Sequence, residues 1–208
     1  MKQIHEYEQD IASIRNIMEK SFKFLSLSGL SGMLAGCYAL VGAGAAYFVI
    51  HAENRNYRQY VFESMRNPSV MWKLIGIALV VLIASIGTGV WLSSKKAKKL
   101  GIPFMNTAGR RLAFNLAIPL ITGGLFTLIL LYYGFIGFAA PVMLMFYGLA
   151  LFQGSSNTYD EIRYLGLCEI VLGLISALFV GYGLIFWAIG FGVLHIVYGA
   201  IMYKKYDK

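Results

Sequence analysis

Six long runs of apolar residues dominate the sequence and limit what the chain can fold into. A helix that crosses the hydrocarbon core of a bilayer needs roughly 20 apolar residues. Lipid offers no partner for unpaired backbone groups, so continuous runs favour helices, whereas a β-barrel would show short alternating segments. We therefore predict an all-α integral membrane protein with six transmembrane helices, over Phe24–Ile50, Leu74–Leu92, Leu112–Tyr132, Phe135–Phe152, Tyr164–Val180 and Leu184–Tyr203.

The composition agrees with a membrane protein. Hydrophobic residues make up 58% of the 208 residues and charged residues only 13%, about half the usual share of a soluble domain. The connections between the runs leave no room for a folded soluble domain, so residues 24–208 are predicted to form one transmembrane domain. No cleavable signal is expected, because roughly 20 mostly polar residues precede the first run.

The two segments outside the runs show helical patterns of their own. Residues 1–23 place one apolar stripe on a helix and carry equal numbers of acids and bases, which predicts a neutral amphipathic cytoplasmic helix. This helix lies at the interface, packs under the bundle or pairs with another chain. The outer segment 51–69 suggests a short helix on the membrane that ends at Pro68. The stripe of the first segment consists of Ile4, Tyr7, Ile11, Ile14 and Met18.

Charge predicts the orientation of the chain. The connection Ser93–Arg111 has six basic residues and no acid, which marks it as cytoplasmic. Counting spans from it puts both termini inside, with all but four of the 18 basic residues on that side. The same charges could also attract anionic lipid or nucleic acid, but a topology signal explains them completely, and we do not expect nucleic acid as a partner. These lipid or topology contacts are Lys95, Lys96, Lys98, Lys99, Arg110 and Arg111.

An internal repeat relates the second half of the chain to itself. Shifted by 49 positions, Leu116–Ala139 lies over Leu165–Ala188, and after two inserted residues Tyr147-Gly148 meets Tyr198-Gly199. Each copy enters the membrane from the cytoplasm and returns to it, so the hairpins are parallel repeats, and the first two helices form a looser third copy. The four-residue spacing of Ser28, Gly32 and Gly36 favours close packing within the bundle, or contact in a homodimer.

The glycine-punctuated hairpins of Leu116–Tyr203 resemble the bacterial family of six-span membrane proteins whose named member is linked to acid resistance. The stretch FLSLSGLSGMLAG is similar to an uncharacterised group of bacterial multi-pass proteins. These resemblances imply a bacterial inner membrane protein of three hairpins. They supply no catalytic residues.

Polar residues inside the apolar runs are the candidate site. Glu169 and His195 lie at similar depths, about 9 Å and about 13 Å along their helices from the cytoplasmic side. Ionisable groups inside the membrane are costly and suggest function, and the pair could share a proton as a switch. Glu169 could also reach the interface, and His195 could simply pack. The other candidates for binding a ligand or proton in a cytoplasm-facing pocket are Asn115, Gln153, Ser28 and Ser31.

The remaining chemistry is sparse. Cys37 and Cys168 have no metal-type neighbours and are expected to act as small packing residues. No hydrolase, P-loop or metalloprotease motif is present, so we expect no enzyme, cofactor or metal. We predict a non-enzymatic stress-related, regulatory or complex-forming membrane module, with a membrane protein or a second copy as partner. The alternative is a small-solute or proton-coupled transporter or channel that uses Glu169 and His195.

Overall fold

The computed structural model describes residues 24, 26–52, 68–101 and 103–208, and all regular structure in them is helical. The predicted helix within residues 1–23 and most of the outer segment lie outside the described residues. Five helices come first: α1 (Gly29–His51), α2 (Pro68–Lys99), α3 (Thr107–Tyr132), α4 (Ala139–Gly154) and α5 (Glu161–Leu178).

The final helical segment, Val180–Asp207, is called the last span. It changes its winding several times. A 3₁₀ turn at Val180–Tyr182 precedes α6 (Gly183–Trp187), a π-helical stretch covers Ala188–Leu194, and α7 (His195–Met202) passes into a second π-helical turn at Tyr203–Asp207.

Within the described residues, five helical segments are long and apolar enough to cross a membrane. They are α1, α2, α3, the segment Ile136–Asn157 that contains α4, and the last span. The chain is therefore a helical protein with several candidate membrane spans. Helix α5 is not among the five, because its 18 residues include Glu161, Arg163 and Glu169.

Helix α2 is longer than the apolar run predicted. It begins at Pro68, six residues before Leu74, and ends at Lys99, seven residues after Leu92. The four lysines that were expected in a connection thus form the last turns of a helix, because lysine is a good helix former whose stem can lie along apolar surface while its ammonium group stays in water. Positive charges near the C-terminus of a helix also interact favourably with the helix dipole.

The two ends of α3 are fixed by local hydrogen bonds. The side chain of Asn106 accepts a hydrogen bond from the backbone N–H of Gly109 at 2.8 Å, so the helix starts five residues before the predicted Leu112. At the other end Gly134 has a φ of 82°, a conformation that favours glycine. The N–H of Phe135 then reaches the carbonyl of Leu130 at 2.8 Å and closes the helix.

Glycines bring the backbones of two antiparallel helix pairs into contact. A Cβ atom on Gly148 of α4 would lie 2.6 Å from the carbonyl oxygen of Gly166 in α5, and one on Gly166 would lie 2.7 Å from that of Gly148. Gly29 of α1 and Gly199 of the last span face each other in the same way, at 2.6 and 2.7 Å. Small residues at such crossings allow packing that no larger side chain permits.

The predicted small-residue stripe of α1 is divided between two roles. A Cβ atom on Gly36 would lie 2.6 Å from the carbonyl oxygen of Gly192, and Gly32 lies against Gly199. Both glycines therefore allow α1 to pack closely on the last span. Ser28 precedes the helix and belongs to a polar cluster described below. Cys37 and Cys168 are free and exposed, which differs from the expected packing role.

The outer surface of the bundle is apolar. Most side chains of α2 are exposed or half-buried, including Val80, Ile83 and Trp91. The aromatic residues between α3 and α4 are exposed as well, namely Tyr132, Tyr133, Phe135 and Phe138. An exposed surface of this kind is suited to lipid, with aromatic rings near the boundary with water.

Candidate functional site

The central feature of the site is a glutamate sealed inside the bundle. Glu169 lies in the middle of α5 and has no exposed surface. Within the described part of the chain, neither of its carboxyl oxygens has a hydrogen-bond partner. An ionised carboxylate in such a place would cost several kcal/mol unless a cation balanced it. The geometry therefore calls for either a proton on Glu169 or a positive charge beside it.

His195 is the group that lies beside this carboxyl. Its Nδ1 is 3.5 Å from Oε1 of Glu169, and its side chain is also buried. His195 begins α7 directly after the π-helical stretch Ala188–Leu194. The two residues that the sequence placed at similar depth thus meet, on α5 and on the last span. Such π-helical insertions are frequent at functional sites.

Two hydrogen bonds fix the imidazole of His195. Nδ1 lies 2.9 Å from the carbonyl oxygen of Gly190, five residues earlier in the π-helical stretch. Nε2 lies 2.6 Å from the hydroxyl oxygen of Tyr147 in α4. A carbonyl can only accept, so Nδ1 carries a proton and donates it. Nε2 of a neutral ring can then accept the hydroxyl proton of Tyr147.

Both ring nitrogens are therefore satisfied with His195 uncharged. When His195 is uncharged, no cation among the described residues balances a Glu169 carboxylate. In that form of the triad Glu169 therefore carries a proton. The same contacts also allow a charged form, in which Nε2–H donates to the hydroxyl of Tyr147 and the imidazolium lies beside the Glu169 carboxylate. Both forms have no net charge and hold the same number of protons.

Aromatic rings close the site. The rings of Phe191 and His195 are stacked, with their centroids 6.1 Å apart. The ring centroid of Tyr147 lies 5.1 Å from that of Phe191 and 5.2 Å from that of His195. Tyr198, the next titratable side chain along the last span, is half-buried and its hydroxyl has no partner in the described part of the chain. We call Glu169, His195 and Tyr147 the triad. It joins α4, α5 and the last span.

A second polar cluster gathers around Asp207. One carboxylate oxygen accepts from the backbone N–H of Gly29 at 2.7 Å and from Oγ of Ser28 at 3.1 Å, which caps α1. The other lies 2.6 Å from Nζ of Lys96. Lys96 also donates to the carbonyl of Leu27 at 2.8 Å. The start of α1, the end of α2 and the end of the last span thus meet at one end of the bundle.

The ring of Tyr159 extends this cluster. Burial, followed by the negative charge of Asp207, raises the pKa of Tyr159 to about 12. Next to it, Glu161 accepts hydrogen bonds from Lys205 and from the hydroxyl of Tyr206, the latter at 2.9 Å. Burial acts to raise the pKa of Glu161, but these hydrogen bonds together outweigh it and lower the pKa. One ion pair and one hydrogen bond thus connect the π-helical turn Tyr203–Asp207 to the start of α5.

The other predicted candidates do not join the triad through the hydrogen bonds they make. Nδ2 of Asn115 donates to Oδ1 of Asn157 at 2.8 Å. Ser31 donates to the carbonyl of Ser28 at 2.6 Å, within the first turn of α1. Gln153 is exposed, and its backbone carbonyl accepts from Ser156. The predicted candidates that the structure describes thus lie in separate polar clusters instead of one pocket.

Sequence reasoning missed the residues that complete these clusters. Tyr147 is one tyrosine in an apolar run, and its only distinction was its match to Tyr198 in the repeat. Lys96 was interpreted as a topology signal, yet it is largely buried and ion-paired. Asp207 lies near the end of the sequence, where nothing in the local pattern marks it as the cap of a helix that begins 178 residues earlier.

The described residues thus form an all-helical protein with five candidate membrane spans and a buried polar centre at the triad. No group of three or more potential metal ligands occurs among the described residues. No protein-family model matches the chain, and no curated protein and no solved structure gives a significant match.

Proposed function

We propose that the protein is a non-enzymatic regulatory module of the bacterial cytoplasmic membrane, and that its triad locks three helices together. The observation that carries this proposal is the complete burial of Glu169 next to His195. A group that moved protons or solute would need contact with an aqueous path. Neither the cleft at the start of α3 nor the apolar one between α1 and the last span is lined, among the described residues, by a member of the triad.

Six spans are part of the proposal, with α5 as the sixth. Its 18 residues extend about 27 Å, close to the thickness of the hydrocarbon core. Glu161 and Arg163 lie in its first turn, where charge can stay in the headgroup region. Glu169 would then be the only ionisable residue of this helix within the hydrocarbon core other than Cys168 and Tyr164.

The cluster at Asp207 supports the proposal that the first span begins and the last span ends on the same side of the membrane. It joins the beginning of the first span to the end of the second and the end of the last. Six spans require this meeting, since an even number returns the chain to its starting side. The abundance of basic residues at this end supports its assignment to the cytoplasmic side.

We also propose that the chain is built from three hairpins related as parallel repeats. Gly148 and Gly199 are equivalent in the sequence repeat, and each makes a close glycine crossing with the first helix of another hairpin. The residues four positions later, Phe152 and Tyr203, are also equivalent, and their backbone nitrogens face the same partner glycines. Gly166 and Gly29 then occupy matching places in α5 and α1.

The proposal of a stress-related role is supported by the proton that Glu169 and His195 share in either form of the triad. Either form of the triad has no net charge, and the gain or loss of one proton would leave an uncompensated charge inside the bundle. A change of that kind weakens the contact between α5 and the last span. This chemistry is consistent with the resemblance to the acid-resistance family.

Proton-coupled transport is the second candidate. The π-helical stretch beside His195 favours it, because π-helical insertions in α-helices are frequent at functional sites. Glu169 and His195 would then pass a proton during an opening of the bundle that exposes them to water.

Proton flux separates the two candidates. The full chain is reconstituted into liposomes under a pH gradient, beside Glu169→Gln and empty liposomes. A lock predicts that both proteins are as tight to protons as the empty liposomes, with and without a membrane potential. Flux through the wild type that Glu169→Gln abolishes would favour transport and contradict the lock.

A further inference from the structure

A cleft of about 530 Å³ opens at the start of α3, at the end of the bundle that carries the basic residues. It is separate from the triad and from the cluster at Asp207. Its size is within the range of about 300–1,000 Å³ that is typical of sites for small organic ligands. Its lining consists of Thr107, Arg110, Arg111, Phe114, Asn115 and Asn157.

No described acidic residue balances the positive charge in this cleft. Arg110 and Arg111 are both exposed, and neither has an ion pair in the described part of the chain. The described residues that line the cleft include no acid. Two adjacent guanidinium groups present several N–H donors in a planar geometry that matches a phosphate. A hydrogen bond between Asn115 and Asn157, which also line the cleft, holds these two side chains in place.

An exposed apolar track leads away from the cleft along α3. It begins with Phe114 in the cleft and continues with Ile118, Ile121 and Leu125, all of them exposed. Their spacing of four, three and four residues places them on one face of the helix. From Phe114 to Leu125 the track covers about 16 Å, roughly half the thickness of the hydrocarbon core and so the depth of one acyl chain.

We propose that this cleft binds the phosphate of an anionic phospholipid, with an acyl chain lying along the track from Phe114 to Leu125. The arginines recognise the charge of the headgroup. The continuity between the cleft and the track favours a lipid over a soluble phosphate compound, which would use the charged end only. Because α3 begins to cross the membrane at this level, the cleft faces headgroups of the cytoplasmic leaflet.

Lipid-dependent stability tests the site. The unfolding temperature of the full chain in detergent is measured with added phosphatidylglycerol, phosphatidylcholine or inorganic phosphate, since a ligand that binds the folded state raises this temperature. Phosphatidylglycerol should stabilise the wild type, and Arg110→Gln/Arg111→Gln should weaken its apparent affinity about tenfold or more. The matched control Lys98→Gln/Lys99→Gln removes two exposed charges outside the cleft and should keep the full effect.

Three results would overturn the proposal. Equal stabilisation by phosphatidylcholine would exclude recognition of charge, and equal stabilisation by inorganic phosphate would assign the cleft to a soluble anion. Loss of the effect in the lysine control would mean that charge acts diffusely. Should the glutamine variant not fold, Arg110→Lys/Arg111→Lys keeps the charge but loses the planar donors. It should weaken phosphatidylglycerol binding several-fold, and unchanged binding would contradict the site.

Discussion

Gly190 leaves the space that the carboxyl group of Glu169 occupies. A Cβ atom on Gly190 would lie 2.5 Å from Oε2 of Glu169 and would also meet the side chain of Leu144. The last span and α5 therefore fit each other at the point where a carboxyl group is buried. The backbone carbonyl of Gly190 in addition binds His195, so one glycine shapes both members of the pair.

Replacing Gly190 by alanine tests this fit. Gly190→Ala should lower the free energy of unfolding by about 1–3 kcal/mol, because the added methyl group overlaps the Glu169 carboxyl. The cost should shrink in a Glu169→Ala background, where the methyl group finds space. Denaturation in SDS followed by circular dichroism measures both values. An equal cost in the two backgrounds would show that Gly190 and Glu169 are not in contact.

Substitutions in the triad should differ strongly in their effect. Glu169→Gln keeps the shape and the lack of charge, so it should change the free energy of unfolding by less than about 1 kcal/mol. His195→Ala leaves Tyr147 and the Gly190 carbonyl without partners and opens a cavity, which should cost about 3 kcal/mol. The same denaturation experiment checks this order. A cost of about 3–5 kcal/mol for Glu169→Gln would instead indicate a charged pair.

The glycine crossings should not tolerate a methyl group. In Gly148→Ala the new atom would meet the carbonyl of Gly166 at 2.6 Å and the backbone nitrogen of Ile170 at 2.8 Å, and neither can rotate away. We expect a loss of about 2 kcal/mol. Gly124→Ala is the matched control, because nothing lies within 4 Å of its added atom. A neutral Gly148→Ala would contradict the close crossing of α4 and α5.

Lys96 should contribute more to stability than its lysine neighbours. Lys96→Met removes the cation from Asp207, whose side chain is 9% exposed, and should cost about 1–3 kcal/mol. Lys98→Met removes an exposed charge and should be close to neutral. Unfolding temperatures of the two variants make the comparison. Equal values would mean that the cluster at Asp207 contributes little.

Acid should weaken the attachment of the last helical turn to α5. The pKa of Glu161 is lowered in the folded protein from its ordinary value of 4.5. The stabilisation is therefore complete above the ordinary pKa and is lost as the pH falls through the lowered one. The unfolding temperature of Glu161→Gln should thus fall less between pH 6 and pH 3 than that of the wild type, pH values chosen around the ordinary carboxyl range. Parallel curves would exclude a role of this carboxylate.

Periodicity and hydropathy predict the helices because lipid imposes one simple rule on them. The ends of α3 and α5 differ from the apolar runs Leu112–Tyr132 and Tyr164–Val180 by at most five residues. The error is larger for α2, since a helix can continue through lysines whose stems pack while their charges reach water. A scan for apolar residues cannot register this extension.

The proximity of Glu169 to His195 can be predicted from the depth of each residue along its helix. Counting residues from the basic ends of α5 and the last span placed the two at similar levels, and the structure brings them to 3.5 Å. The rest of the triad depends on rotation about each helix axis and on a local change to π-helical winding. No pattern in the sequence fixes either quantity, so Tyr147 and the role of Gly190 emerged only from the fold.

The most direct test of the lock is the infrared spectrum of Glu169 during exchange into D₂O. The difference between wild type and Glu169→Gln isolates the carbonyl band of this one carboxyl group. We predict the band of a protonated acid at neutral pH, with its deuterium shift delayed well beyond the exchange of exposed groups, because the proton is sealed in the bundle. A protonated acid that shifts at once would show that water reaches Glu169, and with it the account of a closed lock would fail.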